Sequence, residues 1–419
     1  MDRNFAGIDG GKQEVGTRLS RWHPYPAMVA DELAVQLAAT HVRAGMRVLD
    51  PFCGSGRLLF AAARTPDTHC IGFDINPLAC LITEAKAAQP DISVLQQLMQ
   101  EAASAPRTGG MSVALRGTKV DWLSERAAVE LGDIIHWANK AALSKDELLV
   151  VAACLSSTTR EVAWIRKSGW KLHRMGDAER KAHSVSAWAV LTKKLSQYLQ
   201  KESVLRLAGT VSVQNANAAS IDTFSCGQFD LIITSPPYGD SRTTVQYGAA
   251  SGICLDVVSR LEGLGDRFIA GGAIDRACLG GPKERPSADF RLRDYWAGAA
   301  DSEPAQRATT FLQDYKGVLE KCHAALVPQG SMISIVGRRS LGGYRLKLDD
   351  FTRDTLANLH YKLKTCVKRP LKHKSVPRYI NRFGRAADDD RKQSGSTRTI
   401  DGEIILTMTK SAEAEPMAA

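Results

Sequence analysis

The stretch Met46 to Ala63, "MRVLDPFCGSGRLLFAAA", decides how the chain is built. An apolar run of strand length ends on Asp50, a turn carries Gly54 and Gly56, and an apolar segment of helical length follows. Glycines between a strand and a helix let the backbone turn sharply and let a ligand come close, because no Cβ stands in the way. The next stretch, "HCIGFDINPLACLITEAKAA" (His69 to Ala88), repeats the logic: a strand ends on Asp74, and Asn76 with Pro77 opens a helix. Two consecutive strand–helix units predict a parallel sheet with helices packed on its faces.

Outward from this core, residues 1–20 are polar and read as a loose arm, and a helix pattern follows Pro26. From about 100 to 205 long helical segments without glycine turns form an insertion. The sheet resumes with "TVSVQNA" (Thr210 to Ala216), "FDLIITS" (Phe229 to Ser235) and "GSMISIVG" (Gly330 to Gly337). Residues 245–310 are irregular and read as a second insertion. Residues 311–410 close the sheet, with "YKLKTCVKR" and "GEIILTMTK" alternating as strands around a basic loop at 368–398. The two halves of the core domain are then 21–99 and 206–244.

The 419 residues are 44% apolar, enough for a substantial core. Lys and Arg outnumber Asp and Glu by 55 to 45, a net charge of +10 that suits a polyanionic partner. Nine cysteines occur singly with no C-x-x-C pair, which suggests neither a metal site nor a disulfide framework and fits a reducing compartment. The N-terminus has no apolar signal core, and the longest apolar run, "LLVVAACL" (Leu148 to Leu155), is too short for a bilayer. The expectation is a cytoplasmic protein without a membrane partner.

A lone G-x-G is weak evidence of a ligand. Here no third glycine and no Gly-Lys-Ser/Thr follow, which lowers the nicotinamide and nucleotide triphosphatase readings. Asp74, 18 residues beyond Gly56, is positioned to accept from vicinal ribose hydroxyls; an acid there also serves to cap the helix near Pro77.

"DPFCGSG", "GFDINP" and "TSPPYG", in that order, resemble the amino-group S-adenosylmethionine-dependent DNA methyltransferases, in their Ser-Pro-Pro-Tyr branch associated with cytosine N4. The resemblance covers roughly 21–90 and 205–340. It implies a Rossmann-like class I methyltransferase α/β fold with a mostly parallel seven-stranded sheet, helices on both faces and helical or irregular insertions. By the same resemblance Asp50, Pro51, Phe52, Gly54 and Gly56 wrap the methionine part of the cofactor, and Asp74 with Ile75 holds the ribose. "RWHPYPA" (Arg21 to Ala27), including His23 and Pro24, is similar to the segment that closes over the methionine end. Where the family often carries an acid after a later strand, this chain has Asn215, which alters the adenine-edge contact.

An exocyclic base amine is a poor nucleophile because its lone pair is delocalised into the ring. Two acceptors aimed at its N–H bonds favour the tetrahedral geometry it needs. Ser235 Oγ supplies one acceptor and the Pro236 carbonyl the other; Pro236 and Pro237 fix the backbone, and Tyr238 offers a face for a base extruded from the duplex.

Double-stranded DNA is the expected partner, gripped by Asp240, Ser241 and Arg242 after the motif and by Lys368, Arg369, Lys372, Lys374 and Arg378 in the basic loop, where aromatics interleave with cations. The resemblance implies a restriction-modification setting with a cognate restriction endonuclease. No Pro-Cys dipeptide occurs, which excludes the cytosine-C5 chemistry. Adenine N6 is the nearest alternative, followed by guanine N2 of transfer RNA, for whose usual RNA-binding domain the roughly 20 leading residues leave no room, and by a DNA-binding relative without turnover.

Overall fold

Seven strands form one continuous sheet in the order β3-β2-β1-β4-β5-β10-β7, with a short eighth strand paired to β5. They are β1 (Arg47–Asp50), β2 (His69–Asp74), β3 (Thr210–Asn215), β4 (Phe229–Thr234), β5 (Leu326–Leu341), the short β6 (Tyr344–Leu346), β7 (Tyr361–Arg369) and β10 (Ile400–Lys410), while β8 (Tyr379–Ile380) and β9 (Thr397–Arg398) pair separately. The computed structural model describes residues 22–104, 112–115, 121–166, 172–202, 207–220, 226–239, 247–264, 271–281, 294–296, 303–341, 344–370, 379–380, 397–398 and 400–412. The expected arm at 1–20 and most of the basic loop lie outside them.

From β3 to β5 all neighbours run parallel; β10 enters antiparallel between β5 and β7. The parallel part is what the strand–helix units predict, and the whole is the mostly parallel Rossmann-like arrangement that the resemblance implies. β1 and β4 are covered on both faces, which explains why Val48 and Leu49, and Leu231 to Ile233, are apolar in succession rather than in alternation. One face is covered by α1 (Asp31–His41) and α2 (Arg57–Ala62), whose Leu33, Leu37 and Leu59 pack on Ile233 and Ile335.

After α3 (Pro77–Ala87) and α4 (Ile92–Ser104), the helical insertion supplies α5 (Glu125–Lys140), α6 (Lys145–Val162), α7 (Asp177–Ala182) and α8 (Ala187–Glu202). The "LLVVAACL" run lies in α6, where Glu147 to Thr159 are all buried. It is a core helix, and no helix among the described residues is long and apolar enough to cross a membrane. Residues 245–310, expected to be irregular, contain α9 (Tyr247–Val258) and α10 (Gly271–Ala277). In α9 small and apolar residues are buried around much of the helix against the insertion, which erases the one-sided pattern that would have revealed it, and α10 is only seven residues long with Ile274 buried. The second face of the sheet carries α11 (Glu303–Ala325) and α12 (Leu348–Asn358), with Phe311 and Tyr315 beneath Leu49 and Ile232.

The register sets the site. β2 and β3 lie on one side of β1 and β4 and β5 on the other, so a crevice opens at the carboxyl ends of β1 and β4.

Candidate active site

A cavity occupies that crevice. Its floor is the glycine turn. Gly54 has φ +52° and Gly56 φ +81°, the left-handed region that side chains avoid. A Cβ on Gly56 would sit 2.8 Å from the Phe60 ring and 2.9 Å from Thr83 Cγ2. Gly56→Ala is therefore expected to destabilise the protein by about 1–3 kcal/mol. An unchanged melting temperature would show that the turn relaxes freely.

Two acids face the cavity. Asp50 is 1% exposed, and its Oδ1 accepts from the Phe52 amide at 3.1 Å and the Thr234 hydroxyl at 2.7 Å. Asp74 ends β2 half-buried; its Oδ2 accepts from the Gly54 amide at 2.9 Å and its Oδ1 from the Asn76 amide at 2.8 Å. The cap of α3 is Asn76, whose side chain accepts from the Leu78 amide. Asp74 does not do that work, and each of its oxygens keeps a lone pair for a ligand.

Burial pushes Asp50 up to about 7 and Asp74 up to about 6, because lost water penalises the charged form. The folded chain therefore holds these protons where the unfolded chain has released them. Their contribution to stability is present below about pH 4 and is lost as pH rises through about 6 and 7. His23 has the opposite sign: burial lowers it to about 3, so its contribution is present above the ordinary histidine value and is lost as pH falls towards 3.

Of "RWHPYPA", the wall of the cavity begins at Tyr25. The Tyr25 hydroxyl accepts from Asn76 Nδ2 at 3.0 Å, and its ring stacks with Tyr247 of α9 at 6.2 Å. His23 and Pro24 lie behind the wall. His23 is 1% exposed with Nε2 at 2.6 Å from Ser156 Oγ of α6, and Trp22 and Lys194 exchange hydrogen bonds through their backbone carbonyls. They pin the segment to the helical insertion.

Pro51, Phe52, Gly54, Asp74 and Ile75 join Asp50 on the lining, and Gly56 lies beneath it. Asn215 does not reach it: it pairs with Asp74 in the sheet and donates through Nδ2 to the Asp74 carbonyl at 2.9 Å, whereas Asn217 and Ala218 line the cavity. The catalytic motif comes to the same space, with Ser235, Pro237 and Gly239 on the lining. Pro236 is buried, and Tyr238 is half-buried behind Ser235, packed against the core around α11. Its hydroxyl lies 3.4 Å from Ser235 Oγ and donates to Glu403 Oε1 at 3.3 Å. Burial and Glu403 push the Tyr238 hydroxyl well above the usual tyrosine range.

Lys368 is exposed on β7, and Arg369 holds Glu403 Oε2 at 3.0 Å. Asp240, Ser241, Arg242, Lys372, Lys374 and Arg378 lie outside the described residues. Thr234, Asn76 and Tyr25 lie inside the quoted motifs, but Glu403 escaped the sequence: it comes 165 residues after Tyr238 and reads as one polar position in a strand.

Residues 43–107 match the family model of the methyltransferase domain. The chain is 27% identical over 285 residues to the Type II methyltransferase M.MvaI of Kocuria varians, across 61% of this chain and 62% of that protein. It is 34% identical over 77 residues to the Type II methyltransferase M.MjaII of Methanocaldococcus jannaschii, across 18% of this chain and 14% of that one. The chain thus spans less than two thirds of the length of either relative. Among solved structures, TrmN from Thermus thermophilus aligns with a TM-score of 0.29 at 10% identity, over 91% of this chain and 48% of its own; an overlap this loose adds nothing to the strand order.

The sheet order and the glycine turn define a Rossmann-like methyltransferase fold. S-adenosylmethionine is the cofactor of such a domain, and the lining offers two carboxylates as candidates to hold it, the buried Asp50 for its cationic end and Asp74 for its ribose. A cation beside Asp50 favours the ionised acid. Cofactor affinity is therefore expected to be level above about pH 7.5 and to weaken by up to about tenfold per unit below about pH 6. Calorimetry across that range checks it, and a flat profile would remove Asp50 from the contact.

Proposed function

We propose that the protein transfers a methyl group from S-adenosylmethionine to the N4 amine of a cytosine extruded from duplex DNA, within a short specific sequence. The observation that carries this reading is that Ser235 and Pro237 share one cavity with Gly54 and Asp74. The cofactor supplies an electrophilic methyl group on a sulfonium. Asp74 and Asp50 hold its ribose and methionine ends, with Asn217 the nearer candidate for the adenine edge. Ser235 Oγ and the Pro236 carbonyl accept from the target amine and favour its tetrahedral form.

The DNA substrate is supported by the names of the Type II methyltransferase relatives and by the net charge of +10. Lys368, with Arg242, Lys372, Lys374 and Arg378, supplies the phosphate contacts, and a cognate restriction endonuclease in the same cytoplasm is the partner that such an activity protects against. Tritiated methyl transfer to duplex DNA followed by nucleoside analysis tests the reading. Label in N4-methylcytosine supports it, label in N6-methyladenine moves the target to adenine, and label confined to RNA or absent altogether overturns it.

A further inference from the structure

We propose that Glu403 is a positioning residue that anchors a hydroxyl chain, Ser235–Tyr238–Glu403, keeping the lone pairs of Ser235 turned to the substrate amine and taking up the proton that the amine loses. The inference rests on the reading of Ser235 as the amine's acceptor.

Glu403 is 6% exposed, an unusual burial for a carboxylate. β10 brings it there through a local irregularity. The pairing with β5 shifts register between Ile400 and Glu403, and a Cβ on the adjacent Gly402 would stand 2.8 Å from the Arg369 carbonyl. Such bulges re-aim side chains next to active sites. Here the side chain is aimed beneath Tyr238, with the Arg369 guanidinium holding the second carboxylate oxygen at 3.0 Å.

The directions of the hydrogen bonds follow from what each group can do. A carboxylate bound to a guanidinium only accepts, so Tyr238 donates to it at 3.3 Å. The single tyrosine proton is then spent, and Ser235, 3.4 Å from the same oxygen, donates in turn. The serine proton points away from the cavity and its lone pairs face it. Both separations exceed a resting hydroxyl contact, as catalytic hydrogen bonds do before substrate tightens them.

The chain also accounts for the proton that the reaction produces. As the N–C bond forms, the S–C electron pair leaves with the thioether and the amine nitrogen becomes cationic. It loses a proton to Ser235 Oγ while the serine proton moves to Tyr238 and the tyrosine proton to Glu403. One proton passes from nitrogen to carboxylate, and neither hydroxyl ends charged.

The test measures single-turnover methylation of duplex DNA, DNA KM, the dissociation constant of S-adenosylhomocysteine and thermal melting for wild type, Tyr238→Phe and Glu403→Gln. Tyr238→Phe keeps the ring and removes only the hydroxyl; Glu403→Gln keeps the shape and removes the base. The expected result is a fall in the single-turnover rate of at least about tenfold in both variants. DNA KM and cofactor-product affinity should stay within about twofold of wild type. Wild-type turnover in either variant overturns the chain, and so does a loss in Glu403→Gln that appears only as weakened binding or melting. If wild type itself methylates no DNA amine, it is the proposed function that fails, and that outcome precedes any comparison of variants.

Discussion

Ser235→Ala is expected to lower methyl transfer by about 10²–10³-fold while leaving the affinity for S-adenosylmethionine within about twofold of wild type. The size follows from the role. A preorganised acceptor acts on the geometry the amine must reach, and among the described residues the neighbouring Tyr238 hydroxyl stands 3.4 Å from the serine oxygen, packed behind it rather than on the cavity lining. The fold should tolerate the change, since Ser235 follows the end of β4 on the cavity wall and its hydroxyl supports no strand pairing. Single-turnover kinetics and calorimetry on the same preparation decide the matter. A variant within about threefold of wild type would mean that the serine only ends the strand.

Asp74→Ala is expected to act on the other side of the reaction, weakening the cofactor by about hundredfold or more. Hydrogen bonds to a charged acceptor are worth about 1.5–3 kcal/mol each, and the ribose offers two. The carboxylate also holds the Gly54 amide at 2.9 Å, so its loss loosens the cradle as well. Helix α3 should survive because Asn76 caps it independently. Asp74→Asn, which keeps an oxygen for the backbone amides, should recover part of the loss. Unchanged affinity in the alanine variant would assign Asp74 to holding the turn alone.

The parallel half of the sheet was legible because its determinants are local. A strand, a glycine turn and a helix fit within Met46 to Ala63, and the next unit follows at once. The motif at Ser235 was legible for the same reason. What escaped was set by long-range packing. His23 stands within a stretch that resembles a cofactor lid, yet its ring faces Ser156, 133 residues away on α6. Asn215 ends its strand as expected, but the edge position turns it to the Asp74 carbonyl and leaves the cavity to Asn217. α9 looked irregular because a helix buried on several sides carries no one-sided pattern, and the seven residues of α10 are too few to show one.

Strand β10 lies between β5 and β7, although it comes after both in the chain. During synthesis β5 and β7 must therefore wait, their facing edges unpaired, until residues 400–410 have cleared the ribosome and slipped between them. Because the same strand delivers Glu403 beneath Tyr238, a nascent chain lacking it also lacks the carboxylate that the Tyr238 hydroxyl donates to.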